Sequence, residues 1–339
     1  MSALEYRIQA AFGPVAAAIE AGRIPGAVLG VTAARERHVC AAGHAQRVPD
    51  PAPMARDTWF DLASLTKVIF TTSAILRLVQ AGRIRLDDPL TVAIPDLRQY
   101  DVASAAERRL TFRQCLAHQT HLPAVEPIYT YGQDPATLRA FVCQRVWAPG
   151  PPVYSDIGFI LLGIAIERLT GQPLATQPLP DGFTFHPDPS LCAATEHCTW
   201  RGRVMRGAVH DENAYALGGA AGHAGLFGQA EAILAFAADV LADGADGVSG
   251  LTPTSIALLR ERQAGNRSVG WELAYPGWSG GDACSAETIG HTGFTGTGLW
   301  IDFARGLAWT LLTNRVHPTR HADSGILALR RAVGDSLTG

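Results

Sequence analysis

The chain has 339 residues, 47% of them hydrophobic and 17% charged, which supplies a packed core and excludes disorder, a collagen-like repeat and a highly charged scaffold. At about 150 residues per domain, that length allows two domains or one large one. Lys plus Arg number 28 against 31 Asp plus Glu, a net charge of −3 with no basic block, so nucleic acid is not an expected partner.

Leu4, Ile8, Phe12, Val15 and Ile19 recur at helical spacing and predict an amphipathic helix over 3–21 that closes near Gly22. Glu5, Arg7 and Glu20 leave only short apolar stretches there, so no signal peptide is read. No run elsewhere reaches the roughly 18 apolar residues of a membrane span, and a cytoplasmic protein without a membrane partner is expected. Residues 26–33 and 38–42 read as a hairpin around the turn Arg35-Glu36-Arg37. A short run at 59–63 leads into a helix over 64–80, with Gly82 as its C-cap. A second helix is predicted over 156–169, and the five prolines of 171–200 mark a loop. An Ala- and Leu-rich helix over 230–241, a hairpin of 298–303 with 307–313, and a last helix over 322–337 complete the pattern. Hairpins and helices at both ends around a helical middle suggest one sheet built from both chain ends, with a helical domain inserted between them.

The six cysteines are scattered at 40, 115, 143, 192, 198 and 284 without a C-x-x-C pair, so neither a disulfide framework nor a zinc ribbon is expected. The basic residues are more telling: 27 of the 28 are Arg, and Lys67 is the only lysine. Arg stays protonated in proteins, whereas a buried Lys can lose its proton and act as a base.

That lysine stands in Ser64-Leu65-Thr66-Lys67, at the predicted strand-to-helix turn. Residues three apart share a helix face, so the Ser64 hydroxyl and the Lys67 amine can meet. The first helical turn also presents unpaired N–H groups to a developing oxyanion. A serine becomes a competent nucleophile when a base lies within hydrogen-bond reach, and a lysine serves only if its pKa is lowered. Tyr154-Ser155-Asp156 follows a Pro-rich approach and opens a helix, and His291-Thr292-Gly293 precedes Phe294 and the last strand pair.

S-x-x-K, Tyr154-Ser155-Asp156 and His291-Thr292-Gly293, in that order, resemble the penicillin-recognising serine hydrolases: class C β-lactamases, DD-peptidases and related esterases. The resemblance extends to 116–123, 154–163, 218–228 and 311–315, most of the chain. It implies an α+β fold, a helix-flanked antiparallel sheet with an inserted mostly helical domain; the corresponding boundaries here are 1–63 plus 255–339 and 64–254, with the site at their junction. It further implies Ser64 as the acyl-accepting nucleophile, Lys67 and Tyr154 sharing a proton as the base, and an oxyanion hole from the N–H groups of Ser64 and Phe294. Thr292 and Gly293 would shape a substrate-binding edge strand, and Asp156, His291, His223 and Arg315 would complete the substrate site.

Two departures bear on the chemistry. Asp156 stands where many members have Asn, and a carboxylate favours a charged Lys67. Either Asp156 is held away from the amine, or Tyr154 is the acting base and Lys67⁺ stabilises its phenolate. His291 stands where β-lactamases mostly have Lys, which removes a permanent positive charge and weakens binding of a substrate carboxylate. A small ester or D-amino-acid-type amide is therefore expected over penicillin, as a small-molecule substrate hydrolysed without a cofactor. A binding relative that no longer turns over is the alternative. A metal-dependent hydrolase using His210, Asp211, Glu212 and His223 is the third reading. His118 and His121 are read as ordering a loop, Trp271, Trp278 and Trp300 as packing anchors, and Cys115 and Cys143 as buried thiols. Gly218–Gly222 lacks the lysine of a phosphate loop, so no nucleotide is expected. The oligomeric state is not legible.

Overall fold

The computed structural model describes residues 2–34 and 36–339. Alternation along the strand Gly26–Ala33 sorts its side chains onto two faces: Ala27, Leu29 and Val31 join one apolar cluster and Val28 the other. Both faces are buried, as befits a strand in the middle of a sheet. Seven strands run across that sheet in the order Ala52–Pro53, Glu36–Gln46, Gly26–Ala33, Leu307–Thr313, Thr297–Asp302, Thr288–Thr292 and Glu272–Leu273, each antiparallel to its neighbours. The sheet therefore draws on both ends of the chain, and the fold is α+β.

The helices Ala3–Glu20 and Ile326–Thr338 cover one face, closing Leu4, Ile8, Val15, Leu329 and Val333 over Leu29, Trp300 and Trp309. Register places Trp300 opposite Trp309, and their rings stack at 5.8 Å. Gly290 and Gly298 flank that indole because a Cβ on them would stand 2.3 and 2.2 Å from it. The helix Ala230–Leu241 comes from the middle of the chain yet packs on the other face, Leu234 against Gly30. All three anchoring tryptophans, Trp271, Trp278 and Trp300, are buried, as are Cys115 and Cys143.

Several elements differ from expectation: the stretch 171–200, expected as a loop, contains the strand Ala194–Cys198, paired with Arg203–Arg206. The second strand runs Glu36–Gln46, beyond 38–42, because His44 and Gln46 go on to pair with Pro53 and Ala52. Of the turn expected before it, Arg35 lies outside the described residues. Thr288–Thr292 is a strand that its sequence, Thr-Ile-Gly-His-Thr, does not announce; pairing along its whole length with Thr297–Asp302 creates it. The helix expected over 64–80 contains a π-helix at Lys67–Thr72 before regular geometry resumes at Ser73–Gln80. Thr72 Oγ1 donates to Lys67 O at 2.7 Å and Ser73 Oγ to Val68 O at 3.4 Å, hydroxyls answering carbonyls five residues back in the widened turns. Among the described residues no helix is long and apolar enough to cross a membrane.

The helix Asp156–Thr170 begins at the N-cap Ser155 and stops at Gly171, whose φ of 72° only glycine adopts without strain. It meets the 218–228 loop where Gly163 and Gly222 touch backbone to backbone. A Cβ at Gly222 would lie 2.0 Å from Phe159 O, so the loop must move if the residue is enlarged. Gly222→Ala is therefore expected to cost upwards of about 2 kcal/mol, read as a lowered Tm. Gly13 has nothing within 4 Å of its missing Cβ in a long helix, and Gly13→Ala is expected to stabilise by about 0.5–1 kcal/mol. Equal melts for the two variants would refute the packing argument.

Candidate active site

Ser64 sits at the tip of a turn that four hydrogen bonds make rigid. Ala63, just before it, holds a left-handed φ of 48°, a strained state for a residue with a Cβ. The buried Asp61 carboxylate accepts from Ala63 N at 2.9 Å and from His210 N at 2.6 Å. Burial pushes that carboxyl's pKa up despite both bonds. From the other side, Thr295 and Thr297 hydroxyls donate to the carbonyls of Asp61 and Leu62 at 2.8 and 3.0 Å. The helix starts immediately beyond Ser64, which is itself only partly buried.

Lys67 is fully buried one turn on. Its Nζ donates to Ser64 Oγ at 2.8 Å and to His223 O at 3.2 Å, and lies 2.8 Å from Asp156 Oδ1. Burial by itself lowers its pKa, but the Asp156 charge and then Tyr154 outweigh burial, so the pKa moves up from the ordinary lysine value. Asp156 is thus not held away from the amine. An ammonium has only N–H donors, and here it donates to Ser64 Oγ instead of accepting from it.

Tyr154 leans over the same amine, Lys67 Nζ lying 4.9 Å from its ring centre. The loop after Leu116 fixes this tyrosine. His118 Nδ1 accepts from Ser155 N at 3.0 Å, the His118 ring packs on Tyr154 at 4.4 Å, and Ser155 Oγ donates to Pro123 O at 2.7 Å. His118 therefore orders a loop, as its position suggested. His291 packs on Tyr154 too, at 5.8 Å, with Nδ1 3.0 Å from Thr292 O. Burial first, then Arg267 and Lys67, drives the pKa of both imidazoles well below the ordinary value. His291 is accordingly a neutral group and not a replacement cation.

The sheet edge forms the opposite wall. Thr288–Thr292 pairs outward with Glu272–Leu273 only through Ile289 and Gly290, so His291 and Thr292 keep an open edge. A Cβ on Gly293 would stand 2.1 Å from Thr297 Oγ1 and 2.5 Å from Leu62 O, so only glycine lets the edge meet the Ser64 turn. Phe294 follows, half exposed. Among the described residues no protein group accepts from the N–H of Ser64 or of Phe294. Arg315 is bound to this edge: its Nε donates to Phe294 O at 2.9 Å and its guanidinium stacks on the Phe294 ring.

The His223 ring is buried against Asp211, 2.8 Å away, and only its carbonyl meets Lys67. Burial works to raise the Asp211 carboxyl, but His223, the Ala214 N–H and Lys67 together hold its pKa well below the carboxylate range. His210 pairs with Glu196 and Glu212 with Arg320, so the suspected metal cluster is divided among separate partners. No group of three or more His, Cys, Asp and Glu side chains among the described residues could hold a metal ion.

Arg267 is the residue that sequence reading passed over. Its guanidinium lies 5.3 Å from the Tyr154 ring, 23% exposed, and its ion pair with Glu272 is a loose 3.6 Å. No hydrogen bond from its side chain to another group is present among the described residues. The segment Asn266-Arg267-Ser268 carries no motif, and only the fold brings it to the tyrosine.

The two neutral imidazoles make stability depend on pH. The unfolded chain takes up their protons at about pH 6.5, whereas the native chain does not. Stability on their account therefore falls as pH drops below that value and is level above it. Melts from pH 5 to 7.5 are expected to show a shallower slope for His118→Asn than for the parent, and identical slopes would overturn the assignment.

A family model described as Beta-lactamase matches residues 13–333. An N-acetylmuramyl-L-alanine amidase of Bacillus subtilis (strain 168) is 30% identical, covering 79% of this chain and 70% of its own length. A putative D-alanyl-D-alanine carboxypeptidase of Salmonella agona (strain SL483) is also 30% identical, covering 79% and 72%. The structure of EstCE1, a hydrolase with promiscuous acyltransferase activity, superposes with a TM-score of 0.75 at 21% identity over 99% of this chain and 100% of that one. With a serine, an amine and a phenol gathered at the sheet edge, and with that match over nearly its whole length, this chain belongs to the Beta-lactamase family of serine hydrolases.

Proposed function

We propose that this hydrolase works through an acyl-enzyme on Ser64, with Tyr154 as the acting base and Lys67 as a permanent cation. The observation that carries the reading is the closed set of contacts around Nζ: Ser64 Oγ at 2.8 Å, His223 O at 3.2 Å and Asp156 Oδ1 at 2.8 Å. A charged amine can position Ser64 Oγ and steady a phenolate, but it cannot take the serine's proton.

In acylation, with Tyr154 as the phenolate, Ser64 Oγ bonds to the substrate carbonyl carbon while its proton passes to the Tyr154 oxygen. The N–H groups of Ser64 and Phe294 receive the oxyanion. The bond to the leaving nitrogen or oxygen then breaks, and Tyr154 returns the proton to that atom. Water repeats the sequence: it gives a proton to Tyr154 as it attacks, and Ser64 recovers one as the acid departs.

For the substrate, we favour an amide or ester whose leaving portion bears a carboxylate. Arg267 supports this, since it is the cation facing Tyr154 with donors to spare, while Lys67 is answered by Asp156 and Arg315 by the Phe294 carbonyl. Relatives named as an amidase and a D-alanyl-D-alanine carboxypeptidase are consistent with an amide of this kind.

Incubation with a fluorophosphonate should add one adduct on the Ser64 peptide, absent in Ser64→Ala; an adduct on another residue would sink the nucleophile assignment. Tyr154→Phe should slow acylation by about 10²–10⁴-fold if the phenol is the base. Arg267→Gln should lower kcat/KM by about 10–100-fold for a D-alanine amide with a free carboxylate, the worth of a charged hydrogen bond. The same change should leave p-nitrophenyl acetate hydrolysis nearly intact. Equal losses on both substrates would argue against carboxylate recognition.

A further inference from the structure

Arg330 is a buried cation that the chemistry above does not use. It lies on the C-terminal helix Ile326–Thr338, only 7% exposed. Among the described residues no carboxylate lies within ion-pair distance of it, and its Nε is buried without a partner. Taking a guanidinium out of water without a counter-charge costs several kcal/mol, so some strong interaction has to offset the loss. Its partners are two carbonyls: Nη2 donates to Gly293 O at 2.9 Å and to Thr297 O at 2.7 Å.

Those carbonyls close the turn between the strands Thr288–Thr292 and Thr297–Asp302, where Gly293 N donates to Thr297 O at 2.9 Å and Gly296 N to Gly293 O at 3.1 Å. The Gly293 carbonyl and the Phe294 N–H belong to one planar peptide unit. A cation bonded to the oxygen of a peptide draws electron density toward that end and makes the N–H at the other end a stronger donor. The same charge, held behind the turn in a medium of low dielectric, also favours negative charge forming in front of it.

We propose that Arg330 is a positioning residue that polarises the Gly293–Phe294 peptide and so strengthens the oxyanion hole from behind. The inference rests on the proposed role of the Phe294 N–H. A guanidinium serving merely to glue the helix to the sheet would influence stability alone; one serving the oxyanion would influence tetrahedral species and leave ground-state binding in place.

The test compares the parent protein with Arg330→Met and Arg330→Lys, using p-nitrophenyl acetate and, as a tetrahedral mimic captured by serine, phenylboronic acid. Circular dichroism and Tm report folding. For Arg330→Met, the acylation rate and phenylboronic acid affinity should fall together by tenfold or more, while KM changes less than twofold. Arg330→Lys keeps the charge but reaches one carbonyl, and should recover at least threefold of each loss. If the Met variant does not fold, the Lys variant decides: a parallel loss of threefold or more in both readouts supports the inference. A folded Met variant with parental acylation rate and boronate affinity overturns it, whatever its Tm, as does a Lys variant with parental values where the Met variant does not fold. Failure of the underlying reading looks different, because the parent itself would then bind the boronate no better than Ser64→Ala.

Discussion

The buried ion pair between Lys67 and Asp156 sets the terms for everything around it. An ammonium with no exposed surface survives in a protein interior only if a counter-charge and hydrogen bonds answer it, and removing one partner of such a pair costs about 3–5 kcal/mol. Here the carboxylate at 2.8 Å keeps the amine charged, and the remaining N–H groups reach Ser64 Oγ and the His223 carbonyl. Once Lys67 is a fixed cation, the proton-accepting role in the proposed reaction has to fall to another group. Tyr154, between the amine and two neutral imidazoles, is the group so placed.

The precision of that cluster comes from polar groups, most of them lying well away from Ser64 in the chain. Asp61 ties the serine turn to His210, Thr295 and Thr297 tie it to the sheet edge, and His118 ties the tyrosine to the loop after Leu116. Each is a buried group bonded across the fold, so each adds rigidity to the place where it binds. Glycines complete the fit by omission: at 222 and 293 even one added carbon would collide with backbone. The strained φ at Ala63 persists because so many of these contacts converge on it.

A surface rich in arginine gives this protein many cations but few that are uncommitted near the site. Arg320 is neutralised by Glu196 and Glu212, Arg315 is spent on Phe294, and Arg330 faces the rear of the turn. Arg267, paired only loosely, is the cation on the Tyr154 side. Substitution of His291 for a lysine therefore removes a charge from one position without emptying the crevice of positive potential.

Most of the architecture could be read from periodicity. The helices Ala3–Glu20, Asp156–Thr170 and Ala230–Leu241 and the hairpin of Thr297–Asp302 with Leu307–Thr313 follow from apolar spacing and from glycine at the boundaries, because these are local properties of the chain. The strand Thr288–Thr292 and the π-helix at Lys67–Thr72 escaped, since one owes its form to a neighbouring strand and the other to hydroxyls bonding within a crowded turn. In the site, the pairing of Ser64 with Lys67 was legible because three residues on a helix make one face. The sequence by itself determined which groups could react: one lysine, a serine one turn before it, a tyrosine opening a helix. Tertiary structure alone decided their charges, since burial, Asp156 at 2.8 Å and Arg267 across the tyrosine are long-range facts, and proton affinity depends on what surrounds a group in space.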